Sequence, residues 1–277
     1  MDLYTNTCFD CCKVITRNYS TSFSLGIRAF DKRFHYPIYG IYGFVRIADE
    51  IVDTFDQADQ ENLFAVFKQD TYTALADKIS TNPVLHAFQS VVHKYGIDAY
   101  LIEAFLKSME MDLKPVNYSS NTYQEYIYGS AEVVGLMCLK VFCEGDKALY
   151  DKLADSARSL GSAFQKINFL RDLKSDFEDR GRTYFPGVDF LQFKEAEKVL
   201  IEDEIETDFR NALIGIRQLP SGCRKGVYIA YIYYTELLRK IRLHGAETIS
   251  QKRIRVSDKK KAWLLAHALL KHKLNTL

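Results

Sequence analysis

Residues 165–176 read QKINFLRDLKSD, and this stretch decides how the rest of the chain is read. It contains no Gly or Pro and follows good helix formers, so it reads as helix. Positions three and four apart share a helix face. Gln165, Asn168, Asp172 and Asp176 fall at i, i+3, i+7 and i+11 and form one polar stripe, while Ile167, Phe169, Leu170 and Leu173 are apolar. On a helix that must also pack, such a stripe is costly unless something binds there.

A second stretch follows the same logic. In RIADEIVDTF, residues 46–55, Asp49 and Asp53 stand at i, i+4 with Glu50 beside them. Two like charges ~6 Å apart repel by roughly 3 kcal/mol at an effective dielectric of ~20, and helices ordinarily place Lys or Arg four residues from an acid. Two such pairs point to a cation between them. Oxygen donors without neighbouring Cys or His favour Mg²⁺, which takes one or two carboxylates plus substrate phosphates. Tyr42, Arg46, Asp49 and Asp53 step at i, i+4, i+7 and i+11 and share a face. Arg46 reads either as a salt-bridge partner of Asp49 or Glu50 or as a planar donor fork for diphosphate.

The totals narrow the classes. The chain has 277 residues with 37 Lys and Arg against 36 Asp and Glu, and a net charge of +1 argues against general nucleic-acid binding. No run approaches ~18 uninterrupted apolar residues, so no bilayer-spanning helix is expected. The start, MDLYTNTCFDCCK, lacks a basic segment and an apolar core, so no secretion signal is expected. Six Cys without regular spacing read as reduced thiols, and a cytoplasmic location is expected. No Pro/Gly/Ser-rich linker divides the chain, so residues 1–277 are read as one domain.

Taken in order, helices are expected over 3–19, 36–55 with Pro37 in the first turn, 60–79, 83–95, 98–112, 122–142, 146–178, 195–218 and 223–243. The hydroxyl-rich residues 20–24 read as a capping turn or as donors to phosphate oxygens. Residues 122–142 form the most apolar helix. Gly129, Ser130, Ala131 and Gly135 make one side of it small, Glu132 is out of place, and Tyr128 is expected to point a hydroxyl towards a cleft. Arg180 and Arg182 lie on a loop after the acidic stripe, placed to close over phosphate or to rest in solvent. The tail, residues 252–274, begins basic and ends amphipathic, which reads as a solvated face or as weak attraction to an anionic membrane. The reading is an all-α chain of about ten helices around one core.

These residues resemble the squalene/phytoene synthase family of head-to-head prenyl synthases. The resemblance runs through Ser22 and Phe23, then Tyr42, Arg46, Asp49, Glu50 and Asp53. It continues through Tyr128 to Gly135 and through Gly161, Gln165, Asn168, Arg171, Asp172 and Asp176, and closes on Arg182, Tyr184, Pro186 and Tyr234. It implies an all-α isoprenoid synthase bundle around a central cavity. Asp49, Asp53, Asp172 and Asp176, with Asn168, would hold two or three Mg²⁺ ions on a prenyl diphosphate. Arg46, Arg171 and Arg182, with Ser22, would grip diphosphate oxygens. Tyr42, Tyr128, Gln165, Tyr184 and Tyr234 would line the site or steady a carbocation. Two departures stand out: many relatives carry a basic residue where Thr21 stands, and Gly where Glu132 stands.

The resemblance further implies ionisation of an allylic diphosphate, a cyclopropyl diphosphate intermediate, and rearrangement to a head-to-head hydrocarbon. No nucleotide-binding fingerprint is present, so NADPH is not expected. The reading is phytoene formation from two geranylgeranyl diphosphates in carotenoid biosynthesis, with peripheral membrane contact for product release. The alternatives are a C30 dehydrosqualene or squalene synthase using farnesyl diphosphate, and a non-catalytic member acting in assembly or binding.

Overall fold

The computed structural model describes residues 2–55, 58–114, 119–178, 180–188 and 193–257. Residues 115–118, and the part of the basic and amphipathic tail from residue 258 on, lie outside the described residues. Among the described residues there are twelve α-helices, one π turn and no strand.

Helix α1, Leu3–Tyr19, is capped by Asp2, whose carboxylate accepts from the Thr5 amide at 2.7 Å. It ends at Ser20, which also caps α2, Thr21–Arg28, by accepting from the Phe23 amide at 3.2 Å. The hydroxyl-rich break is therefore a single shared residue, and α2 is a helix the sequence pattern does not announce. Helix α3, Lys32–Asp53, begins a full turn earlier than expected and holds Pro37 in its interior. The Asp31 amide donates to the Gly222 carbonyl at 2.8 Å, and Phe34 is fully buried. These tertiary anchors fix the start upstream of the proline, despite the helix bond a proline removes.

Next come α4 (Gln60–Asp77), α5 (Pro83–Tyr95), α6 (Ala99–Met111) and α7 (Ser120–Ile127). The apolar helix expected as one α-helical run instead contains a π turn, Tyr128–Glu132, before α8, Val133–Cys143. By length and mean hydropathy (1.4) Ser120–Cys143 would pass for a membrane-crossing segment, but 61% of its most apolar window is buried inside the protein. The long strut is α9, Lys147–Glu178, at 32 residues about 48 Å. Around it sit α10 (Glu195–Ile216), α11 (Ser221–Arg242) and α12 (Ala246–Gln251).

Two buried apolar clusters replace the single core expected. One gathers α1 to α6 and α8, with Phe44 and Phe88 stacked at 3.8 Å. The other gathers α9 to α12 with α7 and includes Tyr126, Phe169 and Tyr184. A cavity of about 710 Å³ lies between them, which is why the apolar interior is not continuous. Its walls approach closely through glycines. A Cβ on Gly161 would sit 2.6 Å from the Ala131 carbonyl oxygen, and one on Gly135 2.8 Å from that of Ala157.

The π turn is held by the same device on its other side, where a Cβ on Gly129 would sit 2.3 Å from the Ala104 carbonyl oxygen of α6. Gly129→Ala forces backbone against backbone and should cost about 1–3 kcal/mol. Denaturant unfolding checks this: a midpoint unchanged from the parent protein would refute the close approach.

Candidate active site

Helix α9 lays one continuous stripe along the cavity, from Leu153 through Ser156, Leu160, Phe164 and Asn168 to Asp172 and Asp176. Helix α3 supplies Tyr42, Arg46, Asp49 and Asp53 from the facing side. The two acid pairs meet across the gap. Arg180 donates to Asp176 Oδ1 at 2.8 Å and lies 3.6 Å from Asp53 Oδ2, so one guanidinium joins the two helices. The acid end faces solvent, with the Asp49 side chain 37% exposed, while Phe142 and Leu153 at the far end are buried.

Every acid at this end has a guanidinium. Arg46 pairs with both Asp49 and Glu50, so its salt-bridge reading describes this structure, and it also lies 4.3 Å over the Tyr19 ring. Arg182 donates to Asp53 Oδ1 at 2.6 Å, to the Val52 carbonyl at 3.0 Å and to the Asp112 carbonyl at 2.8 Å. Asp172 accepts from Arg171 Nε at 3.0 Å and from Arg253 Nη2 at 3.2 Å, with Arg253 Nε 2.7 Å away. Asp112 accepts from the Tyr126 hydroxyl at 2.6 Å and the Tyr184 hydroxyl at 3.2 Å.

These surroundings move the titrations. Loss of hydration among the crowded side chains of the cavity mouth and the charge of Asp53 raise Asp49 to about 6, against the pull of Arg46 and Arg180. Burial and Asp172 raise Asp176 to about 7 against Arg180. Burial raises Asp112 to about 7, opposed by Arg182 and the Tyr126 hydrogen bond. Tyr42 is pushed up to about 12 by burial.

Below the acids the wall turns aromatic and apolar. Tyr234 stacks on Phe164 at 3.9 Å and donates to Asn168 Oδ1 at 3.4 Å. Tyr42 tilts against Phe23 at 5.1 Å, and Gln165 donates to Ser130 Oγ at 3.3 Å.

Of the residues singled out in the sequence, Asp49, Asp53, Asp172, Asp176, Tyr42, Arg46, Gln165, Asn168, Arg171, Arg182, Tyr184 and Tyr234 all stand on this cavity. Ser22 and Tyr128 do not. The neighbours of Ser22, Ser20 and Phe23, take the wall instead. The Tyr128 ring lies 5.4 Å from the Arg158 guanidinium, and Arg158 also donates to Glu132 at 2.7 Å. That pairing explains how a carboxylate is tolerated in the apolar helix, and Glu132 is not on the cavity wall. Asp112, Ser130 and Arg253 are polar wall residues that the sequence does not mark as site residues. Asp112 follows a helix end with no motif around it, Arg253 reads as part of a basic tail, and Ser130 reads as one of the small residues that allow close helix approach or leave room for a ligand.

The donor set tests the fit of a hard divalent cation. All donors are oxygens, two carboxylates per helix, and the guanidiniums already show that positive charge settles between them. No cluster of three or more metal-ligating side chains converges among the described residues. Carboxylate oxygens of this kind suit a hard divalent cation that takes one or two carboxylates, with phosphate oxygens completing its shell.

An all-α bundle with facing acid pairs above an apolar cavity has the architecture of an isoprenoid synthase. The squalene/phytoene synthase family model matches residues 16–260, and the chain belongs to that family. Its members are prenyltransferases, and the protein is an enzyme of this kind. It is 25% identical to a phytoene synthase of Cereibacter sphaeroides, over 92% of this chain and 78% of that one. It is 28% identical to a 15-cis-phytoene synthase of Synechococcus elongatus, over 94% and 92%. In fold it matches a crystal structure of a dehydrosqualene synthase in complex with ligand, with a TM-score of 0.83, 22% identity, and 99% and 98% coverage.

The raised carboxylates make a stability prediction. A folded-state pKa above the unfolded value means that the native chain binds protons the unfolded chain has released. Unfolding free energy then falls as pH rises through the window from about 4 to about 7. With chelator present, Asp176→Asn should flatten this part of the pH dependence of Tm. A slope equal to that of the parent protein would contradict the placement of Asp176.

Proposed function

We propose that the protein condenses two molecules of geranylgeranyl diphosphate head to head, yielding phytoene with Mg²⁺ as cofactor, in carotenoid biosynthesis. The observation that carries this reading is the pairing of Asp53 and Asp176 through Arg180 at one end of an apolar cavity. The relatives at 25% and 28% identity that are named phytoene synthases support the product assignment.

Asp49 and Asp53 on one helix, and Asp172 and Asp176 with Asn168 on the other, would hold the magnesium, which when bound supplies Lewis-acid stabilisation of the leaving diphosphate. Arg46, Arg171 and Arg182 exchange their carboxylate partners for diphosphate oxygens, a trade between two bidentate acceptors. The Phe164–Tyr234 and Phe23–Tyr42 pairs exclude water from the reacting carbons and turn aromatic faces towards positive charge. The reaction ends in loss of a proton, so no reductant is consumed.

The test is product analysis with Mg²⁺ and either the C20 or the C15 diphosphate. A C40 hydrocarbon from the C20 substrate is expected, and chelator should abolish it. Asp49→Asn and Asp172→Asn should each lower turnover by about 100-fold or more while the helical circular dichroism is retained. Full activity in either variant would overturn the assignment.

A C30 reading has one observation in its favour. Phe30 and Phe142, edge to face at 5.1 Å, stand at the far end of the cavity, and the Phe30 ring would lie 2.2 Å from a Cβ on Gly226. Phe30→Ala should raise the ratio of C20 to C15 turnover several-fold, and Phe30→Trp should lower it. A C30 product from unaltered protein, with no C40 from the C20 substrate, would select the shorter chain.

A further inference from the structure

A π turn carries one extra residue per turn and so rotates its side chains out of α-helical register. Here that turn is locked on two sides, by Gly129 against α6 and by Gly161 against the Ala131 carbonyl. Locked in this way, it sets Ser130 and Ala131 on the cavity wall beside Gln165. Ser130 Oγ then accepts from Gln165 Nε2 at 3.3 Å. The pair sits among Val134, Leu160 and Phe164, and Asp172 lies seven residues further along α9, about 10 Å away. A hydroxyl and an amide are thus paired in the apolar reach of the cavity, below the charged end.

With Nε2 on the serine, the Gln165 carbonyl oxygen lies on the side of the amide carbon away from Ser130, and the second N–H stays with the nitrogen. Among the described residues no hydrogen bond reaches Gln165 Oε1. We propose that Ser130 is a positioning residue that holds the Gln165 amide with its carbonyl oxygen towards the cavity, where the negative end of the dipole faces positive charge on a prenyl chain. This rests on the prenyl condensation proposed above. Without the serine the amide is free to rotate and present its N–H groups, which repel the same charge.

Binding calorimetry tests this without turnover, using a tertiary prenyl ammonium as charged probe and its neutral carbon isostere, both with Mg²⁺ and inorganic pyrophosphate. Unaltered protein should prefer the ammonium. Ser130→Ala should weaken ammonium binding about five- to tenfold and leave the isostere within about twofold. Ser130→Thr, which keeps the hydroxyl, should restore it. In a Gln165→Leu background Ser130→Ala should add nothing, since the serine acts only through the amide. If Ser130→Ala does not fold, Ser130→Cys, a weaker acceptor of similar size, makes the same comparison.

Equal losses for the two probes, no loss for the ammonium, or a serine effect that persists without Gln165 would overturn the role of Ser130. Absence of any hydrocarbon from unaltered protein, with the ammonium preference and its loss in Ser130→Ala intact, would overturn the condensation and leave Ser130 as the positioning residue of a cation site.

Discussion

Carboxylates crowded at one end of a hollow bundle repel one another, and the fold tolerates them because guanidiniums lie between them. Asp49, Glu50, Asp53, Asp112, Asp172 and Asp176 share this end with Arg46, Arg171, Arg180, Arg182 and Arg253. Several of these arginines arrive from parts of the chain that follow the long strut: the loop after α9 brings Arg180 and Arg182, and the segment after α12 brings Arg253. The charged end is thus assembled from elements far apart in sequence, and it depends on the loop after α9 and the segment after α12 as much as on the helices that carry the acids.

The hollow itself depends on contact between backbones. Gly135 and Gly161 let the π turn and α8 lie directly on α9, so the wall is thin and the space beside it stays open. Larger residues at these positions would push the helices apart and change the shape of the cavity at the level of Gln165. The two apolar clusters on either side provide the stiffness. Stacked rings such as Phe44–Phe88 and Phe169–Tyr184 fill the clusters, leaving the space between them to a ligand.

Much of this was legible in the sequence because helix geometry is local. The i, i+3, i+7, i+11 stripe from Gln165 to Asp176 and the Tyr42 to Asp53 stripe translate directly into cavity walls. What failed depended on distant partners. Pro37 reads as a first-turn residue until Phe34 and the contact of Asp31 with Gly222 are known. Tyr128 reads as facing a cleft on regular helical spacing, and the π turn breaks that spacing. Asp112 carries no local signal at all: its importance comes from Tyr126, Tyr184 and Arg182, one of them fourteen residues away and the others about seventy.

The near balance of charge at the acid end has a consequence for how an anion would arrive. Six acids face five guanidiniums there, so with the carboxylates ionised the fixed charges nearly cancel. A bare polyanion approaching from solution would meet little net attraction, because the donors that suit it are already engaged. Escorted by its own divalent counter-ions, the same anion offers each side a new partner at once. Capture then becomes an exchange of ion pairs with a weak dependence on bulk ionic strength, in contrast to long-range electrostatic steering.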